Sequence, residues 1–236
     1  MYTFENLGGC ELCVSKDHTF GTDAFLLADF AGARHKDKCC DLGTGCGIIA
    51  MLLRLRYEPK EVWGVDIQTV AIEQFNITLG RACFDNVHPV CMDIKDLPGE
   101  LPGGTFDLVT CNPPYKAAGA GMESLGEAQR IARHEVLCNI SDICRGADRL
   151  LKFGGRLCLC SRPERLPDVI CAMRENYIEP KRLRFVAKSA EASPWLFLME
   201  GHKGGKPFMR VMPTLCMGGE GISPELRAIY GQNPDK

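Results

Sequence analysis

No stretch of the 236-residue chain is apolar for long enough to cross a bilayer as a helix, so a membrane partner is not expected. An excess of charge of one sign is also missing. With 28 Lys and Arg against 30 Asp and Glu the net charge is −2, which excludes the overall basicity of a protein that coats nucleic acid and leaves only local basic faces open. Internal repeats, low-complexity runs and linkers are absent, and 45% of the residues are hydrophobic, so one globular unit with a sizeable core is expected. The opening residues Met1 to Gly9 contain Glu5 and lack the basic-then-apolar layout of a secretion signal, which predicts a cytoplasmic location.

Zinc chemistry lacks its second half. Cys10 and Cys13 form a C-x-x-C, but no further Cys or His pair follows at ligand spacing, so no metal is expected and the pair reads as part of an alternating strand. Most of the 14 cysteines lie in apolar runs such as Leu157-Cys158-Leu159-Cys160, where the thiol packs as a small hydrophobe and stays reduced. Positive charge gathers locally at Lys181, Arg182, Arg184 and Lys188, and again at Lys203, Lys206 and Arg210.

Residues 1–37 read as a lead-in: a short β-ribbon, then a helix that Thr22 would cap. From Lys38 the pattern alternates strand and helix: Cys39 to Leu42, Gly47 to Arg56, Glu61 to Asp66, Thr69 to Ala82 and Val87 to Cys91. It continues with a strand at Phe106 to Cys111, a long helical stretch from about Leu125 to Leu151, and a strand at Arg156 to Cys160 opened by a Gly154-Gly155 turn. Pro163 precedes a helix at Asp168 to Glu175, and Leu183 to Lys188 with Trp195 to Glu200 suggests an antiparallel pair at the sheet edge. The fold class is α/β, a mostly parallel sheet with helices on both faces. Residues 38–236 form the main unit with a C-terminal extension, within one structural domain, and Gly218 to Lys236 is expected to be partly mobile.

The segment Asp41-Leu42-Gly43-Thr44-Gly45-Cys46-Gly47 joins a strand to a helix, where glycines permit a tight turn and a close approach by a ligand. A dinucleotide fingerprint would require a small residue at position 48, and Ile48 is too large. Asp41 would repel a pyrophosphate but attract the ammonium and sulfonium of S-adenosylmethionine, while the loop amides take its carboxylate. Asp66, followed by Ile67, ends the next strand where an acid accepts from ribose hydroxyls. Asp93, followed by Ile94, ends the third, in reach of an adenine amino group. Each Asp alone is more often a cap or a turn former; three at successive strand ends point to one cofactor.

Asn112-Pro113-Pro114-Tyr115 follows the strand ending at Cys111. Its prolines fix the backbone and donate nothing, so the Asn112 side-chain oxygen and the Pro113 carbonyl are left to accept both hydrogens of an exocyclic NH2. Tyr115 offers a ring for a planar group to stack on. His134-Glu135 falls on the long helix; a helical His is more often a packing or surface residue, and neither is assigned a role.

Together these motifs resemble the class I S-adenosylmethionine-dependent methyltransferases over about Lys38 to Gly201. More narrowly, Phe20-Gly21-Thr22-Asp23-Ala24, Ala132-Arg133-His134-Glu135 and Glu200-Gly201-His202-Lys203-Gly204-Gly205-Lys206 resemble the bacterial tRNA(Val) (adenine-N6)-methyltransferases, which act on the purine 3′ of the anticodon. The resemblance implies a Rossmann-like fold with a seven-stranded sheet, a tRNA partner and methylation of an adenine N6. It also implies that Thr22 and Asp23 border the cofactor with Asp41, Gly43, Thr44, Gly45, Gly47, Asp66, Ile67, Asp93, Ile94 and Asn112. Lys203 and Lys206 are candidate phosphate contacts. Because Asn-Pro-Pro-Tyr is shared with enzymes of DNA, ribosomal RNA and release-factor glutamine, those acceptors stay open, as does a non-catalytic module that binds cofactor and RNA.

Overall fold

The computed structural model describes residues 2–16, 18–99, 101–113, 139–218 and 223–231. Pro114, Tyr115, Arg133, His134 and Glu135 lie outside the described residues, as does the first half of the expected long helix.

Strands β1 (Thr3–Asn6) and β2 (Glu11–Val14) pair antiparallel. Helix α1 (Thr22–Ala31) follows, then β3 (Lys38–Leu42), α2 (Ile48–Tyr57), β4 (Glu61–Asp66), α3 (Thr69–Ala82), β5 (Val87–Cys91) and β6 (Phe106–Cys111). Beyond them lie α4 (Ile140–Leu150), β7 (Leu151–Ser161), α5 (Leu166–Glu175), β8 (Ile178–Ala187), β9 (Leu196–Lys203), β10 (Arg210–Val211), β11 (Leu215–Cys216) and α6 (Pro224–Ile229). Among the described residues the main sheet has nine strands in the order β10-β8-β9-β7-β6-β3-β4-β5, with β11 also on β8. The two-residue strands β10 and β11 are the addition to the seven expected. The antiparallel element is β9, which runs against both β7 and β8, while β3 to β7 pair parallel.

Strand alternation splits the core in two. Cys39, Leu108, Cys158, Cys160 and Leu198 face one side, covered by α1, α2 and α6 with Phe75 of α3. Cys40, Val109, Leu157, Leu159 and Met199 face the other, covered by α4 and α5. Because β3 lies between β4 and β6, the strand order reverses beside it, and the loops after these strands open on a shared crevice.

Two expectations change. Thr22 is the first helical residue and Gly21 is the cap; the Asp23 carboxylate accepts the Ala24 amide at 3.1 Å and stands 2.6 Å from where a Gly21 Cβ would be. Gly154-Gly155 does not turn the chain ahead of a strand. β7 begins directly behind α4, and the glycines ride in a bulge where a Cβ on Gly155 would press on backbone oxygens of Lys152 and Phe106 at 2.9 and 3.0 Å. The C-terminal extension is partly docked: Leu226 and Ile229 of α6 are buried, and Tyr230 packs on Phe25, which packs on Phe20 at ring separations of 5.7 and 5.9 Å.

The ribbon is tied to α3 by the Cys13 amide donating to the Thr78 hydroxyl at 2.9 Å. Every cysteine among the described residues is a free thiol, and Cys13 is fully buried.

Candidate functional site

The chain leaves β3 and folds over the end of β4: the Gly43 and Thr44 amides donate to the Val65 carbonyl at 2.8 and 3.0 Å. Gly43, Gly45 and Gly47 all have positive φ, at 69°, 56° and 88°, a conformation that costs a side-chain-bearing residue about 1–2 kcal/mol. Gly47 has a second reason to be glycine, since a Cβ there would sit 2.4 Å from the Phe75 ring. Gly47→Ala is expected to lower stability by about 2 kcal/mol in urea unfolding, strain and overpacking combined.

Asp66 holds this loop. One carboxylate oxygen accepts the Gly45 amide at 2.9 Å and the other accepts the Gln68 amide at 2.9 Å. Asp93 accepts the Lys95 amide at 2.9 Å and so caps the short turn Ile94–Asp96. Its neighbour Ile94 packs toward Gly146 of α4, whereas Ile67 is 46% exposed.

Asp41 is buried under the loop. Thr110 of β6 donates to its Oδ1 at 2.7 Å, while Asp41 Oδ2 and the Thr44 hydroxyl are buried beside each other with no other hydrogen-bond partner. Burial pushes the Asp41 carboxyl up to about 7, against the lowering effect of the Thr110 and Thr44 hydroxyls and with a further push from the Asp66 charge. Keeping it ionised there costs about 4 kcal/mol, so the site favours a cation that would offset the cost.

A cavity of about 240 Å³ opens between this loop, the segment before α1 and the end of β6. Asp23, Gly43, Thr44, Gly45, Asn112 and Pro113 line it, together with Phe20. The Asn112 side-chain amide donates to Asp23 Oδ2 at 3.1 Å, and the Cys160 thiol lies 3.3 Å from Asn112 Oδ1. Candidates from three distant parts of the chain thus meet at one cleft. Thr22, Asp41, Gly47, Asp66, Ile67, Asp93 and Ile94 are not in its lining. A Cβ on Gly43 or Gly45 would meet no atom within 4 Å, so the loop backbone is open to a ligand.

Sequence reasoning missed Thr110 and Cys160, which are ordinary strand residues in the pattern and gain their place only from register. Nor could it place Lys203. His202 stands opposite Arg156, four residues before Cys160, so Lys203 lies roughly 16 Å down the strands from the cleft. There it pairs with Asp148 at 3.1 Å. Lys206 follows at the same far end and is exposed.

Glu200 of the same segment is structural. It is buried, and its Oε2 accepts from Arg182 at 2.8 Å and Arg156 at 3.2 Å, with His202 Nε2 3.1 Å from Oε1. Arg156 also donates to the Ala31 and Gly32 carbonyls at 2.7 and 3.1 Å, and Arg182 to that of Phe30 at 2.6 Å. These cations satisfy the orphan carbonyls at the end of α1 and favour its dipole.

The doubly wound sheet, with a glycine loop and a buried carboxylate at its strand-order reversal, defines a nucleotide-type binding fold. A family model described as a methyltransferase domain matches residues 33–196, and the chain belongs to that family. It is 31% identical over 156 residues to a tRNA1(Val) (adenine(37)-N6)-methyltransferase of Porphyromonas gingivalis, covering 63% of this chain and 60% of that protein. The chain therefore spans about three fifths of the length of that relative. A protein of the same name from Parabacteroides distasonis is 28% identical over 182 residues, 76% of this chain and 75% of that one. Among solved structures, a predicted O-methyltransferase from Agrobacterium tumefaciens superimposes with a TM-score of 0.72 at 21% identity, covering 89% of this chain and 96% of that one. No helix among the described residues is long and apolar enough to cross a membrane.

Proposed function

We propose that the chain transfers a methyl group from S-adenosylmethionine to the exocyclic N6 of an adenine in tRNA, adenine 37 beside the anticodon. The observation that carries this reading is the meeting of Asn112 and Pro113 with the Gly43–Gly45 loop across one cleft. The relatives' printed names supply the acceptor.

The residues fit the donor by their chemistry. Open loop amides at Gly43 and Gly45 suit a carboxylate, and Asp41 Oδ2 suits the cationic end of the amino acid. Gly47 closes the turn into α2, and the Thr44 hydroxyl lies beside Asp41 Oδ2. Asp66 serves the ribose with the lone pairs its two amide bonds leave over, Asp93 serves the adenine amino group, and Ile67 and Ile94 flank the base. Thr22 and Asp23 close the site from the α1 side. When bound, S-adenosylmethionine supplies a methyl already activated on a sulfonium, and the demethylated thioether is the product.

The chain's own task is positioning. Asn112 Oδ1 and the Pro113 carbonyl accept the two amino hydrogens and aim the nitrogen lone pair at the methyl; Tyr115 stacks on the base. The nitrogen gains the carbon–nitrogen bond as the carbon–sulfur bond breaks, and its extra proton then leaves to water, so no strong base need precede attack. Lys203 and Lys206 at the far end of the sheet are unsuited to hold phosphates at the reacting base, and Lys206 remains a contact only for a distant part of the RNA.

Asp41 gives this reading a pH signature. In the free chain its pKa is raised, so ionising it destabilises the fold as pH rises above the unfolded value toward about 7. A cationic donor favours the ionised form. Donor affinity should therefore rise, with proton release, as pH climbs through about 7, by up to about tenfold per pH unit below it, and then level off. Calorimetry in buffers of different ionisation enthalpy measures both quantities, and a flat affinity with no proton release removes Asp41 from the cation site.

To test the reaction, labelled donor is incubated with undermodified tRNA and, in parallel, with peptide-release factor. Label in N6-methyladenosine is expected. Label in release-factor glutamine would establish the protein acceptor instead, and donor binding with no transfer to either would leave a binding module.

A further inference from the structure

We propose that Asp23 is a positioning residue for the acceptor site: its carboxylate selects which end of the Asn112 carboxamide faces Cys160 and the incoming amino group. The inference rests on the functional reading above. Asn112 Nδ2 donates to Asp23 Oδ2 at 3.1 Å, and the Cys160 thiol lies 3.3 Å from Asn112 Oδ1. A carboxylate offers only acceptors, so the end of the amide facing Asp23 must be NH2. The thiol is too weak a partner to decide the matter by itself. With the NH2 end held, Oδ1 is the end presented as acceptor. Donation to a carboxylate also polarises the amide and makes Oδ1 a better acceptor.

Asp23 is itself fixed from both ends of its helix. Its Oδ1 accepts the Ala24 amide at 3.1 Å, leaving Oδ2 for Asn112. The space it occupies exists because residue 21 is glycine, whose Cβ would stand 2.6 Å from Asp23 Oδ1. At the other end of α1, Arg156 and Arg182 hold the Phe30, Ala31 and Gly32 carbonyls and are tied through Glu200 to β7, β8 and β9. Cys160, which faces the other end of the Asn112 amide, is on β7 as well. The helix thus sets Asp23 and Cys160 in one frame, with Asn112 spanning them.

The test compares Asp23→Ala with Asp23→Asn, whose amide oxygen can accept the same hydrogen bond. Asp23→Ala is expected to lower single-turnover transfer by about ten- to a hundredfold even with donor and tRNA at saturation, where any loss of donor affinity no longer shows. Asp23→Asn should keep most of the rate. A second readout needs no substrate: in the folded wild-type chain the Asn112 side-chain amide should show one downfield, slowly exchanging proton in its 15N-resolved NMR pair, lost in Asp23→Ala. Loss of donor affinity with an intact rate at saturation would make Asp23 a donor ligand only and overturn the proposal, as would an Asn112 signal unchanged by Asp23→Ala. A wild-type chain that transfers nothing to tRNA would sink the functional reading instead, leaving the NMR signature to decide the clamp.

Discussion

Asn112→Ala is expected to cut methyl transfer severely while the donor still binds. The loss expected in the single-turnover rate is about 10²–10³-fold, because the variant loses both an acceptor for the amino group and the geometry that aims its lone pair. The fold should survive. Asn112 is only partly buried, its backbone follows a strand held on both sides by β3 and β7, and the bond to Asp23 contributes about 1 kcal/mol to stability. Calorimetry on the same variant separates the roles: unchanged turnover refutes the assignment, and donor affinity lost in step with turnover places Asn112 on the donor.

Glu200→Ala should produce the largest loss of stability. It leaves Arg182 across β9 without its carboxylate partner and Arg156 with only the longer pair to Asp37 at 3.5 Å, at a cost of about 3 kcal/mol. The pH dependence has a definite sign. Burial pushes the Glu200 carboxyl up, but the His202 hydrogen bond and the two guanidinium charges outweigh it and hold the group at about 2. Because that lies below the unfolded value of about 4.3, its contribution is complete above that pH and is lost as pH falls toward 2. Urea midpoints at a neutral and an acidic pH measure it. A variant within about 0.5 kcal/mol of wild type, or a wild-type to variant gap that widens in acid, contradicts the account.

Local chemistry made the cofactor half of the site legible in the sequence. A glycine loop between strand and helix and acids at strand ends are set by neighbours in the chain, and the limits of β4, α3, β5 and β6 follow from the same periodicity. What depends on register was hidden. Thr110 reaches Asp41 across 69 residues, and Asn112 reaches Asp23 across 89. The setting of the Glu200-to-Lys206 segment was hidden for the same reason: running β9 antiparallel buries Glu200 and carries Lys203 away from the cleft onto Asp148. Gly154-Gly155 has the composition of a turn, and only the backbone oxygens of Phe106 and Lys152 against Gly155 reveal a bulge. Thr22 has the chemistry of a cap, but the Asp23 carboxylate occupies the position where that cap would act.

The most direct test of the central claim reads the modified base without presupposing it: nucleoside analysis and position mapping of tRNA from a strain lacking this chain. The account predicts that N6-methyladenosine beside the valine anticodon disappears and returns when the wild-type chain, but not Asn112→Ala, is supplied. An unchanged level of that nucleoside in the deletion strain would contradict it.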